Sequence, residues 1–211
     1  MENPVIIIGA KGLGRTALEI FTSNEVTVYG FLDDDVKLHN TEIDNISILG
    51  SSDDDGFLKL IGKKVEAFVA VEESNLRKHI VEMLLERRHT MPCNAIHSNA
   101  YISKSASLGH GTMINMGARI GAGVTIGNHA IIHSGAVIEH GVQIGEFVQI
   151  GSGAIIGPEV EIADGAFIGS GAIIIGSIRI GKNAQIGAGS VVIAPVEDKK
   201  RVFGNPAKEI G

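Results

Sequence analysis

The sequence has very few of the aromatic residues that fill much of a typical protein core. It contains no tryptophan and two tyrosines, and the aromatic residues together make up 4% of the 211 positions. Aliphatic side chains must therefore supply most of the buried surface. Glycine is abundant, with 28 residues, and it adopts left-handed backbone without a steric cost. The composition favours an aliphatic core and many tight turns.

Basic residues, long apolar runs and cysteines are also scarce. Lysine and arginine number 18 against 24 acidic residues, a formal charge of −6, so the chain lacks the basic field that nucleic acids require. Val5 to Ile8, the longest early apolar run, is far shorter than the roughly 20 residues of a membrane span. Cys93 is the only cysteine, which excludes an internal disulfide and a cysteine metal cluster. We expect a protein of the reducing cytoplasm without a membrane span.

From residue 96 to residue 192, an aliphatic residue occupies every sixth position. A small or β-branched residue follows four positions after most of them, as in Ala118 and Val124. The aliphatic positions are Ile96, Ile102, Leu108, Ile114, Ile120, Ile126, Ile132, Ile138, Ile144, Ile150, Ile156, Ile162, Ile168, Ile174, Ile180, Ile186 and Val192.

A period of six fits neither an α-helix, whose period is 3.6, nor an isolated strand, whose period is 2. It is typical of a solenoid in which each hexapeptide forms one side of a triangular coil. The aliphatic residue then points inward, and the small residue fits the corner. We therefore predict a left-handed parallel β-helix.

The segment before the repeat alternates between β and α patterns. Val5 to Ile8 is a short apolar run typical of a strand covered on both faces. Further strands are predicted at Val26 to Phe31 and Val65 to Val71, and a helix is predicted from Ser74, as its N-cap, to about Arg88. The sequence thus predicts a small Rossmann-like domain over residues 1–90, and a β-helix domain with a C-terminal tail over residues 91–211.

The loop from Gly9 to Gly14 follows the first strand and opens a helix. Backbone amides at such a helix start, together with the helix dipole, can hold a phosphate. Asp33 follows after about 20 residues, where a carboxylate can accept a hydrogen bond from a ribose or a base. A plain tight turn and a solvated acidic turn are the alternatives. The second acidic run, Asp53 to Asp55, predicts only a helix N-cap.

Histidines interrupt the repeat at its turns. Glu139 and His140 stand where neighbouring repeats carry glycine or small residues, and a histidine there can accept a proton near neutral pH. His133 lies on the preceding side of the coil. The alternative is that these are exposed polar turn residues. His110 and His129, 19 residues apart, would stack near one corner as a metal pair, but no third ligand is evident.

Several motifs, in this order along the chain, resemble one family over the whole length. The chain is similar to the bacterial sugar acetyltransferases of the sialic acid O-acetyltransferase and UDP-4-amino-sugar N-acetyltransferase type, within the hexapeptide-repeat acyltransferases. The matching segments are Gly9-Ala10-Lys11-Gly12, Gly30-Phe31-Leu32-Asp33-Asp34, Leu76-Arg77-Lys78, Ala95-Ile96-His97, Gly135-Ala136-Val137-Ile138-Glu139-His140 and Gly204-Asn205-Pro206-Ala207-Lys208.

The resemblance implies a homotrimer that binds acetyl-CoA between neighbouring prisms and a nucleotide-sugar or sugar at the front domain, for surface glycan synthesis. It places the general base at His140, with Glu139 and His133 as further catalytic candidates, and it implies no metal. The substrate-binding positions that it implies are Lys11, Gly12, Leu13, Asp33 and Asp34. The coenzyme positions that it implies are Gln149, Ser170, Ala188, Asn205 and Pro206.

The chain departs from the family pattern at three positions of the implied active site. Gly141 replaces an acidic residue after the base, Gln149 replaces a histidine that faces the coenzyme, and Pro158 replaces a glycine whose amide could polarise the thioester. Gly141 and Pro158 motivate one alternative to an acetyltransferase, a non-catalytic subunit that binds nucleotide-sugar or coenzyme. The other alternative is a metal-dependent β-helix hydratase, which would bind zinc at His110 and His129.

Overall fold

The computed structural model describes residues 3–210 and divides the chain into two compact units, Met1–Ser98 and Asn99–Gly211. The predicted boundary at residues 90 and 91 lies eight residues earlier (98 − 90) than the boundary between these units. The difference arises because the segment after residue 90 is bonded to the first unit. The Cys93 amide donates to the Ala67 carbonyl at 2.9 Å, and the Asn24 side-chain amide donates to the Ile96 carbonyl at 2.6 Å.

Within residues 3–98, the first unit contains six strands, two longer helices and two short helical turns. Their bounds are β1 Val5–Ile8, α1 Gly12–Ser23, β2 Val28–Leu32, a 3-10 turn Val36–Leu38, β3 Glu42–Ile43, β4 Ile46–Gly50, α2 Asp55–Leu58, β5 Glu66–Val69, α3 Ser74–Arg88 and β6 Ala95–Ile96.

A five-stranded sheet of order β3-β4-β2-β1-β5 forms the centre of this unit. Its pairs are parallel except β3 with β4. β1 is buried along its whole length, as its continuous apolar run predicts for a central parallel strand. The sequence did not predict the β3–β4 hairpin.

Acidic side chains cap two helices of the first unit. Glu73, and not the predicted Ser74, caps α3 by accepting from the Asn75 and Leu76 amides at 2.9 and 2.6 Å, and these bonds lower the pKa of its carboxyl. Glutamate can reach both amides because its side chain is longer than that of serine. The predicted cap in the second acidic run is confirmed, since Asp54 accepts from the Gly56 amide at 2.7 Å.

The second unit consists almost entirely of two-residue strands. Their bounds are β7 Tyr101–Ile102, β8 Ser107–Leu108, β9 Met113–Ile114, β10 Arg119–Ile120, β11 Thr125–Ile126, β12 Ile131–Ile132, β13 Val137–Ile138, β14 Gln143–Ile144, β15 Gln149–Ile150, β16 Ile155–Ile156, β17 Glu161–Ile162, β18 Phe167–Ile168, β19 Ile173–Ile174, β20 Arg179–Ile180, β21 Gln185–Ile186 and β22 Val191–Val192. A hairpin of β23 Arg201–Gly204 and β24 Ala207–Glu209 completes the unit.

Each of these short strands pairs in parallel with the strand 18 residues away, as in Ile132 with Ile150. Three such faces result. The first face has β7, β10, β13, β16, β19 and β22; the second has β8, β11, β14, β17 and β20; the third has β9, β12, β15, β18, β21, β23 and β24. The predicted left-handed parallel β-helix is confirmed.

The second residue of each strand points inward and forms the core. From Ile114 to Val192, these residues are at most 4% exposed. The predicted corner positions, such as Ala118, Val124 and Ala154, are fully buried. The last coil is shorter than the others, because Ile186 pairs with Val202 over 16 residues (202 − 186) instead of 18. None of the helices in residues 3–210 is long and apolar enough to cross a bilayer.

Candidate functional site

Three corners run along the prism, and their exposed turn residues differ in chemistry. The polar corner comprises the turns at residues 109–112, 127–130, 145–148, 163–166 and 181–184. The histidine corner comprises the turns at 121–124, 139–142, 157–160 and 175–178. The small-residue corner comprises the turns at 133–136, 151–154, 169–172 and 187–190.

At the polar corner, side chains from one coil satisfy backbone amides of the preceding coil. The amides of His110, Glu146 and Lys182 donate to the carboxyl or carboxamide oxygens of Asn128, Asp164 and Asp198 at 2.9–3.0 Å. Asn128 in turn donates to the Glu146 carboxylate at 2.7 Å. At three of its five turns, this amide is therefore bonded within the protein and is not available to a ligand.

The small-residue corner leaves its amides open. The amides of Ser152, Ser170 and Ala188 donate to no acceptor within residues 3–210, and all three residues are exposed. A side chain added at Gly135, Gly153, Gly171 or Gly189 would meet nothing within 4 Å. Each non-proline residue carries one backbone donor, so a row of exposed, open amides beside bare glycines suits a ligand that carries its own carbonyl groups.

Several predicted coenzyme residues lie along this small-residue corner. Ser170 and Ala188 occupy the same turn position, one coil apart, and the Gly189 amide donates to the Ser170 carbonyl at 2.9 Å. Gln149, on β15, places its side-chain Nε2 at 2.9 Å from His133 Nε2 at the same corner. Both of these side chains are half-buried.

The β23–β24 hairpin extends the small-residue corner toward the end of the chain. The predicted residues Asn205 and Pro206 form its turn and are joined by a cis peptide bond. The Gly204 amide donates to the Ser190 hydroxyl at 3.2 Å and ties the hairpin to the last turn of the corner. Phe203 packs against Gly187, and Phe203 is 55% exposed.

Sequence reasoning assigned no ligand contact to Phe203 or to the two cations near it, although Lys208 ends one of the family-matching segments. Arg201 is exposed and lies two residues before Phe203 on β23. Lys208, on β24, is the antiparallel partner of Phe203. Successive side chains of a strand alternate between faces, so these three share the outward face of the hairpin. The signal available in the sequence was an aromatic residue beside basic residues in a chain that has few aromatic residues.

His140 lies at the histidine corner, separated from His133 by the two residues of β13 and the flanking turns. His140 and Glu139 are both exposed, and their side chains have no partner within residues 3–210. The structure therefore does not bring the Glu139 carboxylate onto the His140 ring.

The two departures at the histidine corner are stacked beside His140. Gly141 has a φ of 71°, and a side chain there would lie 3.4 Å from Glu159 Cγ of the next coil. Pro158 occupies the position of His140 one coil later, where it interrupts the amides of this corner because it has no N–H.

The two histidines considered as a metal pair have other surroundings. His129 is buried at 4% exposure, and its ring stacks on Phe147 with 4.8 Å between the ring centroids. His110 is exposed. Among residues 3–210, no group of three histidine, cysteine or acidic side chains could hold a metal ion.

In the first unit, the predicted phosphate loop leads directly into α1. The amides of Gly12 and Leu13, in the first turn of this 12-residue helix, find no acceptor in the described part of the chain. No acidic residue occupies that turn. The start of α1 therefore presents free donors and the positive end of the helix dipole, as anion binding requires.

The glycines of this loop differ in how much space surrounds them. A Cβ at Gly9 would lie 2.5 Å from the Ala70 carbonyl oxygen, and one at Gly14 would lie within 2.1 Å of the Gly9 carbonyl oxygen. At Gly12, in contrast, the nearest atom would be a Glu72 carboxylate oxygen at 3.7 Å. The protein itself requires Gly9 and Gly14, whereas Gly12 is left open to close approach by a ligand.

The predicted acidic residues hold this loop in place. Asp33 accepts from the Ala10 and Asp35 amides at 2.8 and 2.9 Å, and Asp34 accepts from the Ser52 amide at 2.8 Å. Lys11 donates to Asp35 at 2.9 Å, and this hydrogen bond raises the pKa of the lysine and lowers that of the aspartate. The loop and the acidic turn thus form one connected cluster.

Known protein families match both units. Residues 4–84 match the PglD N-terminal domain, and residues 105–140, 129–164 and 159–194 match the bacterial transferase hexapeptide, a unit of six repeats. No curated protein matches the chain by sequence.

Solved structures resemble the chain over its full length. A histidine-to-alanine mutant of GDP-perosamine N-acetyltransferase from Caulobacter crescentus, in complex with CoA and GDP-perosamine, is 29% identical with a TM-score of 0.91, covering 100% of this chain and 98% of that one. The acetyltransferase domain of PglB from Neisseria gonorrhoeae, in complex with acetyl coenzyme A, is 25% identical with a TM-score of 0.90 and covers 100% of both chains. WeeI from Acinetobacter baumannii, 24% identical over 98% of this chain and 99% of that one, shares the fold with a TM-score of 0.87.

Proposed function

We propose that this chain, which belongs to the bacterial sugar acetyltransferases with a PglD N-terminal domain and hexapeptide repeats, transfers an acetyl group from acetyl-CoA to an amino or hydroxyl group of a nucleotide-linked sugar. The family resemblance drawn from the sequence motifs is confirmed, and the chain is an acyltransferase. The two full-length relatives at 25–29% identity carry CoA or acetyl-CoA. We further propose that the reaction takes place in the cytoplasm and serves surface glycan synthesis.

The open amides of the small-residue corner carry the coenzyme part of this proposal. The pantetheine arm of acetyl-CoA is narrow and contains two amide groups, whose carbonyls can accept from donors such as the Ser170 and Ala188 amides. At the polar corner, three of the five equivalent amides are already bonded to side chains, so fewer donors are available there. Beyond Ala188, Phe203 offers a stacking surface for the adenine ring, and Arg201 and Lys208 offer positive charge for the phosphates.

His140 is the proposed general base. As the acceptor nitrogen or oxygen attacks the thioester carbonyl, the imidazole removes its proton, the carbon–sulfur bond breaks, and CoA leaves as the thiol. No covalent enzyme intermediate is needed. His133 lies one turn earlier, and its contact with Gln149 fixes the position of its ring at the edge of the coenzyme groove.

The acceptor's diphosphate is proposed to bind at the start of α1. The Gly12 and Leu13 amides supply the donors, Lys11 supplies charge, and the bare Cα of Gly12 allows the phosphate to approach the backbone. Both carboxylate oxygens of Asp33 hold the loop. Asp34 uses only one of its oxygens, for the Ser52 amide, which leaves the other as an acceptor for a sugar hydroxyl.

We also propose that the chain is a homotrimer that packs through the first face of the prism. Its outward residues include Val137, Ile155, Ile173 and Val191, of which Ile155 and Ile173 are 41% and 39% exposed. The corresponding residues of the second face are polar or charged, namely Ser107, Thr125, Gln143, Glu161 and Arg179. A contiguous apolar face on one side of a prism is typical of an interface.

The assembly is tested by placing a charge on either face. Ile173→Asp should reduce the mass in sedimentation equilibrium from three chains to one, because a carboxylate would be buried without a partner. Gln143→Asp, on the second face, should leave the mass unchanged. A wild-type protein that sediments as a monomer would contradict the proposal.

The reaction is tested by following thiol release from acetyl-CoA with a panel of nucleotide-linked amino-sugars. We expect turnover with at least one acceptor and a loss of about 100-fold or more in His140→Ala. His110→Ala, at the polar corner, should retain wild-type activity. Absence of thiol release with every acceptor, together with tight coenzyme binding, would instead identify a binding subunit, an outcome that Pro158 and Gly141 motivate.

A further inference from the structure

The N-terminal end of the first face of the prism differs in chemistry from the rest of that face. The outward residues of β13, β16, β19 and β22 are aliphatic, whereas those of β10 and β7 are Arg119 and Tyr101. Arg119 pairs in register with Tyr101 on one side and with Val137 on the other. Lys104 lies in the turn that follows β7. We call Tyr101, Lys104 and Arg119 the basic patch; all three are exposed, and the proposed reaction gives them no role.

The two cations of the basic patch differ from the other basic residues of the prism in their surroundings. Between residues 99 and 192 the chain has four lysines and arginines. The two near the end of the prism are each paired with an aspartate, at 3.4 and 3.5 Å. Lys104 and Arg119 form no ion pair within residues 3–210. The uncompensated lysine and arginine charge of this stretch therefore lies in the basic patch.

The basic patch lies beside the proposed general base. Lys104, Ala122 and His140 occupy the same turn position in three successive coils, 18 residues apart (122 − 104 and 140 − 122). Because neighbouring coils are about 4.8 Å apart, the Cα atoms of Lys104 and His140 are separated by about 10 Å. Arg119 lies one coil before Val137, whose strand leads into His140. The long side chains of both cations can therefore reach a sugar ring that contacts the base.

The turn between Lys104 and His140 carries no large side chain. Ala122 and Gly123 are exposed, and a Cβ at Gly123 would meet nothing within 4 Å. The Gly123 amide donates to Ser105 Oγ at 3.1 Å, which holds this turn against the preceding one. A ligand can therefore lie across the turn, with the base at one end and the basic patch at the other.

The chemistry of the basic patch matches a sugar that carries a carboxylate. A guanidinium donates two parallel N–H bonds to a carboxylate, and an ammonium adds a further charged donor. Tyr101, one of two tyrosines in the chain, is 66% exposed and offers an apolar ring and a hydroxyl to a sugar. The diphosphate of the acceptor has donors of its own at the start of α1, so the basic patch suits a second anionic group.

Resting on the proposed function, we propose that the acceptor is a nucleotide-linked acidic sugar whose carboxylate binds Arg119 and Lys104. Arg119 makes the bidentate contact, Lys104 adds charge, and the ring of Tyr101 packs against the sugar. The amino or hydroxyl group to be acetylated then faces His140. A neutral sugar lacks the carboxylate and gains nothing from the two cations, so these residues determine specificity and take no part in proton transfer.

The experiment measures binding of two pairs of nucleotide sugars to the full chain by calorimetry. UDP-glucose is compared with UDP-glucuronate, and GDP-mannose with GDP-mannuronate; within each pair, the difference is a carboxylate at C6. We expect the acidic member of at least one pair to bind about 10-fold more tightly, or more, because hydrogen bonds between charged groups are strong. Arg119→Gln should reduce this preference to less than about 3-fold, and Lys104→Gln should reduce it by a smaller factor. Arg179→Gln, the same substitution on the second face, should leave it unchanged.

The possible failures separate this proposal from the proposed function. If the acidic and neutral members bind alike, the acidic sugar is overturned while the nucleotide-linked acceptor stands. If the preference survives in both Arg119→Gln and Lys104→Gln, the assignment to the basic patch is overturned. If Arg119→Gln weakens both members of a pair equally, the patch binds the diphosphate and the proposal is again overturned. If none of the four nucleotide sugars binds, the nucleotide-linked acceptor is overturned as well.

Discussion

The two units of this chain both consist mainly of parallel strands, but they cover those strands in different ways. The first unit places helices over an open sheet and fixes its loops through single contacts, such as Asp33 with the Ala10 amide. The second unit closes its strands into a prism, so the same aliphatic contact recurs in every coil. We therefore expect function to depend on individual loop residues in the first unit and on departures from a repeat in the second.

The largest expected effect is on the aliphatic core of the prism. Ile126 is 2% exposed, and truncation to alanine should lower the free energy of unfolding by about 2–5 kcal/mol through lost burial and a cavity. Thr125→Ala, its outward neighbour on β11, should change that free energy by less than about 0.5 kcal/mol. Denaturant titration measures both, and equal losses would show that the inward and outward positions are not distinct.

In the first unit, one added methyl group should produce the next largest loss of stability, although no buried surface is removed. Gly14→Ala should destabilise the protein by about 1–3 kcal/mol, because the new Cβ would overlap the Gly9 carbonyl oxygen. Gly12→Ala should cost less than about 0.5 kcal/mol, since its Cβ would have room, and yet it should weaken diphosphate binding. If both variants lose stability alike, the distinction between structural and ligand-facing glycines is wrong.

A smaller effect should distinguish the corners of the prism. Asp164→Ala removes the acceptor of the Glu146 amide and an ion pair with Lys182, and it should cost about 0.5–1.5 kcal/mol in thermal or denaturant unfolding. Ser152→Ala, at the small-residue corner, removes no such bond and should be neutral. A loss at Ser152 equal to that at Asp164 would contradict the view that the Asp164 side chain stabilises the polar corner across coils.

The smallest expected effect concerns Cys93 in the first unit, whose alkylation rate reports on burial. Burial, with Glu66 nearby, raises the pKa of Cys93 to about 12. Because the thiolate is the reactive form, alkylation at pH 8 should be much slower in the native protein than in denaturant, without any change in stability. A native rate equal to the denatured rate would show that this part of the first unit is open.

Sequence reasoning predicted the regular parts of both units and missed the irregular ones. The six-residue period predicted nearly every strand of the prism, because one period fixes both the strand and its register. The β3–β4 hairpin was missed because Glu42 to Gly50 has no such periodicity, and Ser74 was wrongly named as the α3 cap because Glu73 also fits that role. The proposed site residues came from family motifs, whose roles in this chain remain predictions.

By itself, the sequence determined the aliphatic prism, the loop that opens α1 and the positions where histidines break the repeat, since these depend on spacing along the chain. Tertiary structure alone decided which amides stay open. Asn128, Asp164 and Asp198 each bond an amide of the polar corner from 16 to 18 residues away, and the contact of His133 with Gln149 likewise spans 16 residues. Such relations join separate elements, and only the folded backbone brings them within hydrogen-bonding distance.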